Sequence, residues 1–70
     1  MTSRERMVRA INNNEYIFVY NDNCDELTRL KYDEENDVFF FQNDEKVDMK
    51  GLIGQYIIIM NDKEAFYYEK

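Results

Sequence analysis

The chain is predicted to be an α+β domain, a short N-terminal helix packed on a four- to six-stranded antiparallel β-sheet of meander type. Three observations predict this fold. Residues 2–12 combine a helix-start signal with apolar residues at helical spacing. From residue 15 the apolar period changes to two. Runs of β-branched and aromatic residues then recur every 10 to 12 residues, separated by Asn/Asp-rich turns with no helical segment between them.

The elements follow in order. Thr2 and Glu5 have the spacing of a capping box, in which each side chain satisfies a free amide at the helix start. Met7, Val8, Ala10 and Ile11 form the apolar stripe, and Asn12-Asn13-Asn14 ends the helix because asparagine tolerates left-handed backbone. Glu15 to Tyr20 is the first strand. Asn21-Asp22-Asn23 turns the chain, and Leu27, Leu30 and Tyr32 mark a second, more polar strand. After the turn Asp33-Glu34-Glu35-Asn36 comes Val38 to Phe41, then a turn at Asn43-Asp44-Glu45. Val47 and Met49 are assigned to a short further strand ending near Gly51, and Leu52-Ile53-Gly54 to a bulge or a single helical turn. Tyr56 to Met60 and Ala65 to Tyr68 are the last strands, joined by the turn Asn61-Asp62-Lys63.

Composition limits what such a domain does. Seventy residues, 44% of them hydrophobic and 16% aromatic, make one folded unit over 1–70 and leave no interior for a second. The single cysteine, Cys24, forms no internal disulfide, and residues 1–20 lack the apolar core of a secretion signal. The longest apolar run, Tyr56 to Met60, is far short of the roughly 20 residues that span a bilayer. The expected location is therefore the cytoplasm. A net charge of −6 argues against direct contact with nucleic acid or an anionic membrane. The charge is uneven: residues 1–9 hold Arg4, Arg6 and Arg9 against Glu5, and the acidic excess lies after the helix.

Catalytic chemistry has little to work with. There is no histidine, the usual acid–base group near neutral pH. Ser3 has no partner base and is read as a helix cap, and the carboxylates beside Cys24 disfavour its thiolate. Zinc lacks its sulfur and imidazole ligands. The calcium-like runs starting at Asn21 and Asp33 carry Glu26 and Val38 where a glycine is required. Gly51-Leu52-Ile53-Gly54 is too short and apolar for a phosphate loop. The expectation is a non-enzyme without metal or cofactor.

Two features remain. Val38 to Phe41 and Tyr56 to Met60 are apolar on both faces, and one short helix covers only one face of a sheet. Either the sheet curls over itself or a homodimer buries the surplus, with Phe39/Phe41 or Ile57/Ile59 as the pairs offered to the second copy. Phe40 and Ile58 then stand as the residues where a charge damages folding; the apolar pattern alone leaves open which alternating set faces the partner. The second feature is the placement of acid. Asp22, Asp25 and Glu26, then Asp33, Glu34, Glu35 and Asp37, then Asp44, Glu45 and Asp48 cluster at turns and strand ends, as do Asp62 and Glu64. Side chains two apart on a strand are about 6.6 Å from each other, a pitch comparable to successive phosphates of a nucleic-acid strand. A sheet displaying carboxylates in this way can compete for a basic DNA-binding face; the plainer reading is that acidic turns keep a small sheet soluble.

In size, acidity, fold class and lack of a catalytic set, the whole chain resembles the small acidic proteins with which bacteriophages block host DNA-binding proteins, such as uracil-DNA glycosylase inhibitors and inhibitors of the nucleoid protein HU. The resemblance implies a non-enzymatic inhibitor that imitates DNA and occludes a host protein's DNA-binding surface, in the host cytoplasm if phage-encoded. An HU-type protein is the first expected target, since such proteins bind through backbone charge without reading bases. The first ten acids named above are the expected partner-binding residues, with Arg4, Arg6 and Arg9 off that face. The alternatives are a protein–protein adaptor using Tyr16, Tyr20, Tyr32, Tyr56, Tyr67 and Tyr68 or a sheet edge, and a structural subunit of a larger assembly.

Overall fold

A computed structural model describes residues 1–21, 25–61 and 63–69. The order of elements is α1 (Ser3–Asn12), β1 (Ile17–Asn21), β2 (Glu26–Asp33), β3 (Val38–Phe41), a 3-10 turn η1 (Met49–Leu52), β4 (Tyr56–Ile59) and β5 (Glu64–Tyr67). The five strands form one antiparallel sheet in the order β3-β2-β1-β4-β5. This is the expected α+β architecture with meander-like pairing: β1–β2–β3 and β4–β5 pair consecutively, and the β1–β4 contact joins the two sets.

Local chemistry sets the helix ends. The Thr2 hydroxyl accepts from the Glu5 amide at 3.1 Å, and the Glu5 carboxylate accepts from the Thr2 amide at 3.1 Å. The Thr2 amide donating to the Glu5 carboxylate, with the Thr2 side chain beside it, holds that carboxyl below the usual range. At the other end Asn14 takes the left-handed conformation (φ 61°). The amides of Asn14 and Glu15 return to the carbonyls of Ile11 and Ala10, closing a Schellman turn. This keeps Glu15 with the helix, so β1 begins at Ile17, two residues later than the apolar pattern suggests.

The segment around Val47 and Met49 does not form a strand. Lys46 makes one bridge to Phe40, and the Val47 amide donates to the Phe39 carbonyl, which protects the outer edge of β3. Asp48 then accepts from the Lys50 amide at 3.1 Å and starts the 3-10 turn, so the extended run stops after Val47. Gly54, with φ 86°, carries the chain from that turn into β4. The predicted turn at Asn21-Asp22-Asn23, Cys24 and the centre of the turn at Asn61-Asp62-Lys63 fall on or against residues 22–24 and 62, outside the described set.

The core lies between the sheet and the α1–η1 layer. Ile17, Val19, Leu30, Phe39, Ile57 and Ile59 point into it from the strands and meet Met7 and Ala10 of α1, Leu52 of η1, Val47 and Tyr68. This corrects the sequence-based assignment of the dimer surface. Phe39, Ile57 and Ile59 are the protein's own core, at most 3% exposed, while Phe40 and Ile58 point to the opposite face.

Candidate interaction surfaces

The acidic residues divide by what their side chains do. At the β2–β3 turn, Asp33 accepts from the amides of Glu35 and Asn36 at 3.1 and 3.4 Å and from the Asn36 side-chain amide at 2.7 Å. Those donors, the Asn36 side chain foremost, hold its carboxyl below the ordinary value. Asp37 has a left-handed backbone (φ 56°). It accepts from the Tyr32 hydroxyl and from Arg4 Nη2 at 3.0 Å, and Arg4 also donates to its carbonyl at 2.8 Å. The Tyr32 bond, then Arg4, depresses the Asp37 carboxyl; the same bond to Asp37 raises the Tyr32 phenol.

Asp25 (φ 50°) accepts from the Tyr20 hydroxyl, Asp44 (φ 71°) pairs with Lys31, and Asp48 caps η1. Five of the expected partner-binding acids thus serve the chain's own turns: Asp25, Asp33, Asp37, Asp44 and Asp48. Aspartate suits this, because its short side chain reaches nearby amides and tolerates positive φ. Asp22 lies outside the described residues. Glu26, Glu34, Glu35 and Glu45 are exposed, and among the described residues their side chains enter no hydrogen bond or ion pair. They do not form one face. Glu34 and Glu35 occupy the β2–β3 tip, and Glu26 lies at the opposite end of β2, roughly 23 Å away by strand rise. Glu45 stands beyond the outer edge of β3, its carbonyl accepting from the Phe41 amide at 2.8 Å, level with Leu30 in the middle of β2.

The arginines act as internal ties, a role the sequence reading missed. Arg4 reaches β3, its guanidinium 5.5 Å from the Phe39 ring centroid. Arg6 reaches β5, pairing with Glu64 and standing 4.0 Å over the Phe66 ring. Placing both arginines one turn inside an amphipathic helix, on either side of Met7, was the available signal. Ser3 is not the cap. Its Oγ accepts from the Glu69 amide at 3.0 Å and ties the chain's two ends together.

The second surface is the sheet face opposite α1. The register aligns Leu27, Tyr20, Tyr56 and Tyr67 in one row across four strands and Arg29, Phe18, Ile58 and Ala65 in the next. Tyr56 and Tyr67 pack with ring centroids 4.7 Å apart and their planes tilted by 56°. The Arg29 guanidinium lies 4.1 Å over the Tyr16 ring, and its Nε is enclosed without a hydrogen-bond partner. Tyr16, Leu27 and Tyr67 remain 53%, 46% and 60% exposed, and no element among the described residues packs over this face. The β4 and β5 side is aromatic and aliphatic, and the β2 side carries the cations Arg29 and Lys31.

A pH dependence follows from the Arg4–Asp37–Tyr32 cluster. Ionised Asp33 and Asp37 are favoured in the folded state, so their contribution is present above the unfolded carboxyl value near 3.8 and is lost as pH falls through their lower folded values. The raised Tyr32 phenol contributes below its ordinary value of 10.0 and loses that contribution as pH rises through the higher folded value. Stability is expected to be flat from about pH 5 to 9 and to fall on both sides. Asp37→Asn should weaken both falls, read as urea midpoints across pH; a variant with both falls unchanged would remove Asp37 as their common cause.

No group of three His, Cys, Asp or Glu side chains suited to a metal ion occurs among the described residues, and no helix among them is long and apolar enough to cross a membrane. Comparison with protein families, with curated proteins and with solved structures finds no match, so these surfaces stand on their own geometry.

Proposed function

We propose that the protein is a non-enzymatic, stoichiometric inhibitor that presents DNA-like negative charge to a basic protein and occludes its DNA-binding surface. The observation that supports this most is the set of exposed glutamates, Glu34 and Glu35 at the β2–β3 tip, Glu26 at the far end of β2 and Glu45 beyond the edge of β3, carried on a sheet whose aspartates fix the turns. The fixed backbone sets where these carboxylates stand before a basic surface arrives, and a net charge of −6 speeds the encounter. An HU-type nucleoid protein in the cytoplasm of a host cell is the first target, because a protein that reads no bases can be blocked by charge and outline alone. The adaptor reading has its own support in the tyrosine row on the open sheet face, exposed Tyr67 beside half-buried Tyr56 and Tyr20.

The test is a gel-shift competition on a purified HU-type protein. Wild type should displace DNA, less effectively at 300 mM than at 50 mM salt. Combining Glu26→Gln, Glu34→Gln, Glu35→Gln and Glu45→Gln should weaken displacement by about two- to fivefold for each glutamate in contact. The aspartates are left in place because they hold the turns. Failure of wild type to displace DNA at either salt, or equal displacement by the amide variant, rejects the inhibitor reading. Loss of binding on Tyr67→Ala alone would favour the adaptor.

A further inference from the structure

We propose that the open sheet face is the interface of a two-fold symmetric homodimer, its occupant a second copy of this chain. The inference is independent of the charge-based function, since it uses none of the exposed glutamates.

The face is self-complementary. Its β2 side carries Arg29, whose Nε is enclosed without a hydrogen-bond partner, and Lys31. Its β4–β5 side carries Tyr56, Ile58 and Tyr67, with the tyrosine rings packed at a tilt and no cation among them. In the sheet order β3-β2-β1-β4-β5, β1 is the middle strand and Phe18 stands at its centre on this face. A two-fold axis in the interface, parallel to β1, stacks β4 and β5 of each copy over β2 and β3 of the other. Arg29 then meets the partner's β4, opposite Ile58 and one register step from Tyr56, where a ring face and a hydroxyl both serve a guanidinium. The contact forms twice, and the two Phe18 rings meet at the axis. Sheets stacked about 10 Å apart leave room for such interleaved side chains.

The area suffices. Five strands at their usual spacing and four residues of strand length give a face of about 24 by 14 Å. Covering it on both copies hides about 700 Å² of flat outline, and the side chains standing out from the sheet raise the accessible area toward the roughly 1,000 Å² at which specific interfaces begin. An arrangement parallel to β1 also brings like acidic ends together, so two copies of charge −6 repel outside the apolar contact. Added salt therefore tightens the dimer, the reverse of its effect on an acid-driven contact with a basic target.

Sedimentation equilibrium of the full chain from 1 to 300 µM, at 50 and 500 mM salt, tests the proposal. The expected result is a mass twice 8.6 kDa at the higher concentrations, with tighter association at the higher salt. Tyr67→Glu and Ile58→Glu should each weaken association at least tenfold with the far-UV circular dichroism unchanged. Tyr67, on an edge strand and largely exposed, keeps the test valid even if the Ile58 variant folds poorly. The variant lacking the four glutamate charges should dimerise at least as well as wild type. A wild-type monomer at 300 µM overturns the proposal, as does a dimer that survives both substitutions or loosens with salt. A monomer that loses a heterologous partner on Tyr67→Glu would give the face to that partner instead.

Discussion

Ile57→Asp is expected to unfold the protein at 25 °C, whereas Ile58→Asp, one residue along the same strand, leaves a folded chain. Ile57 has no accessible surface and sits between Val19 and Phe66 in the sheet, facing the helix. Removing its side chain alone costs about 2–5 kcal/mol through lost burial and the space left behind. A carboxylate there finds no cation within the apolar cluster, and its desolvation adds several kcal/mol more. A single core in a domain this small rarely supplies more than about 3–5 kcal/mol of net stability. Ile58 points to the open face, where a carboxylate reaches water. Far-UV circular dichroism and amide NMR dispersion of the two variants give the answer; unfolding of the Ile58 variant with a folded Ile57 variant would reverse the assigned faces.

Phe39→Ala carries the second large effect. The ring is 1% exposed, packs against Tyr32 with centroids 4.8 Å apart, and lies under the Arg4 guanidinium. Truncation leaves a cavity at the junction of β2, β3 and α1 and should cost about 3–5 kcal/mol. It also strands Arg4 with one partner fewer, so the helix loosens from the β2–β3 hairpin. Phe40→Ala, on the other face of the same strand, should cost under about 1.5 kcal/mol in the monomer. Urea midpoints at low protein concentration compare the two, and equal losses would contradict the burial difference.

Much of this architecture is legible in the residues. The Thr2/Glu5 pair and the asparagines at 12–14 mark both helix ends, and the β-branched and aromatic runs locate the strands to within two residues. Register is another matter. Side-chain direction alternates along a strand, so polar residues on one parity reveal the outer face. In Val38–Phe41 and Tyr56–Ile59 both parities are apolar, and the pattern carries no such information. Only the pairing of Ile17 and Val19 beneath Met7 and Ala10 decides which set is core. The acids illustrate a different limit. Counted as charge, Asp33, Glu34, Glu35 and Asp37 are one cluster. Read by side-chain length, the aspartates are turn formers and the glutamates are not, a distinction the sequence offers at every one of these turns.

The bond between Ser3 and the Glu69 amide has a practical consequence for tethering. Residues 3 and 69 meet at 3.0 Å, beside the helix and the β5 edge. A tag, surface anchor or neighbouring sequence attached before the one or after the other leaves the molecule from nearly the same point. That point is on the helix layer, so either attachment holds the protein by its covered side and turns the tyrosine row outward. A chain anchored there by both ends hangs from a single spot, and pulling on the two together loads that spot rather than the sheet.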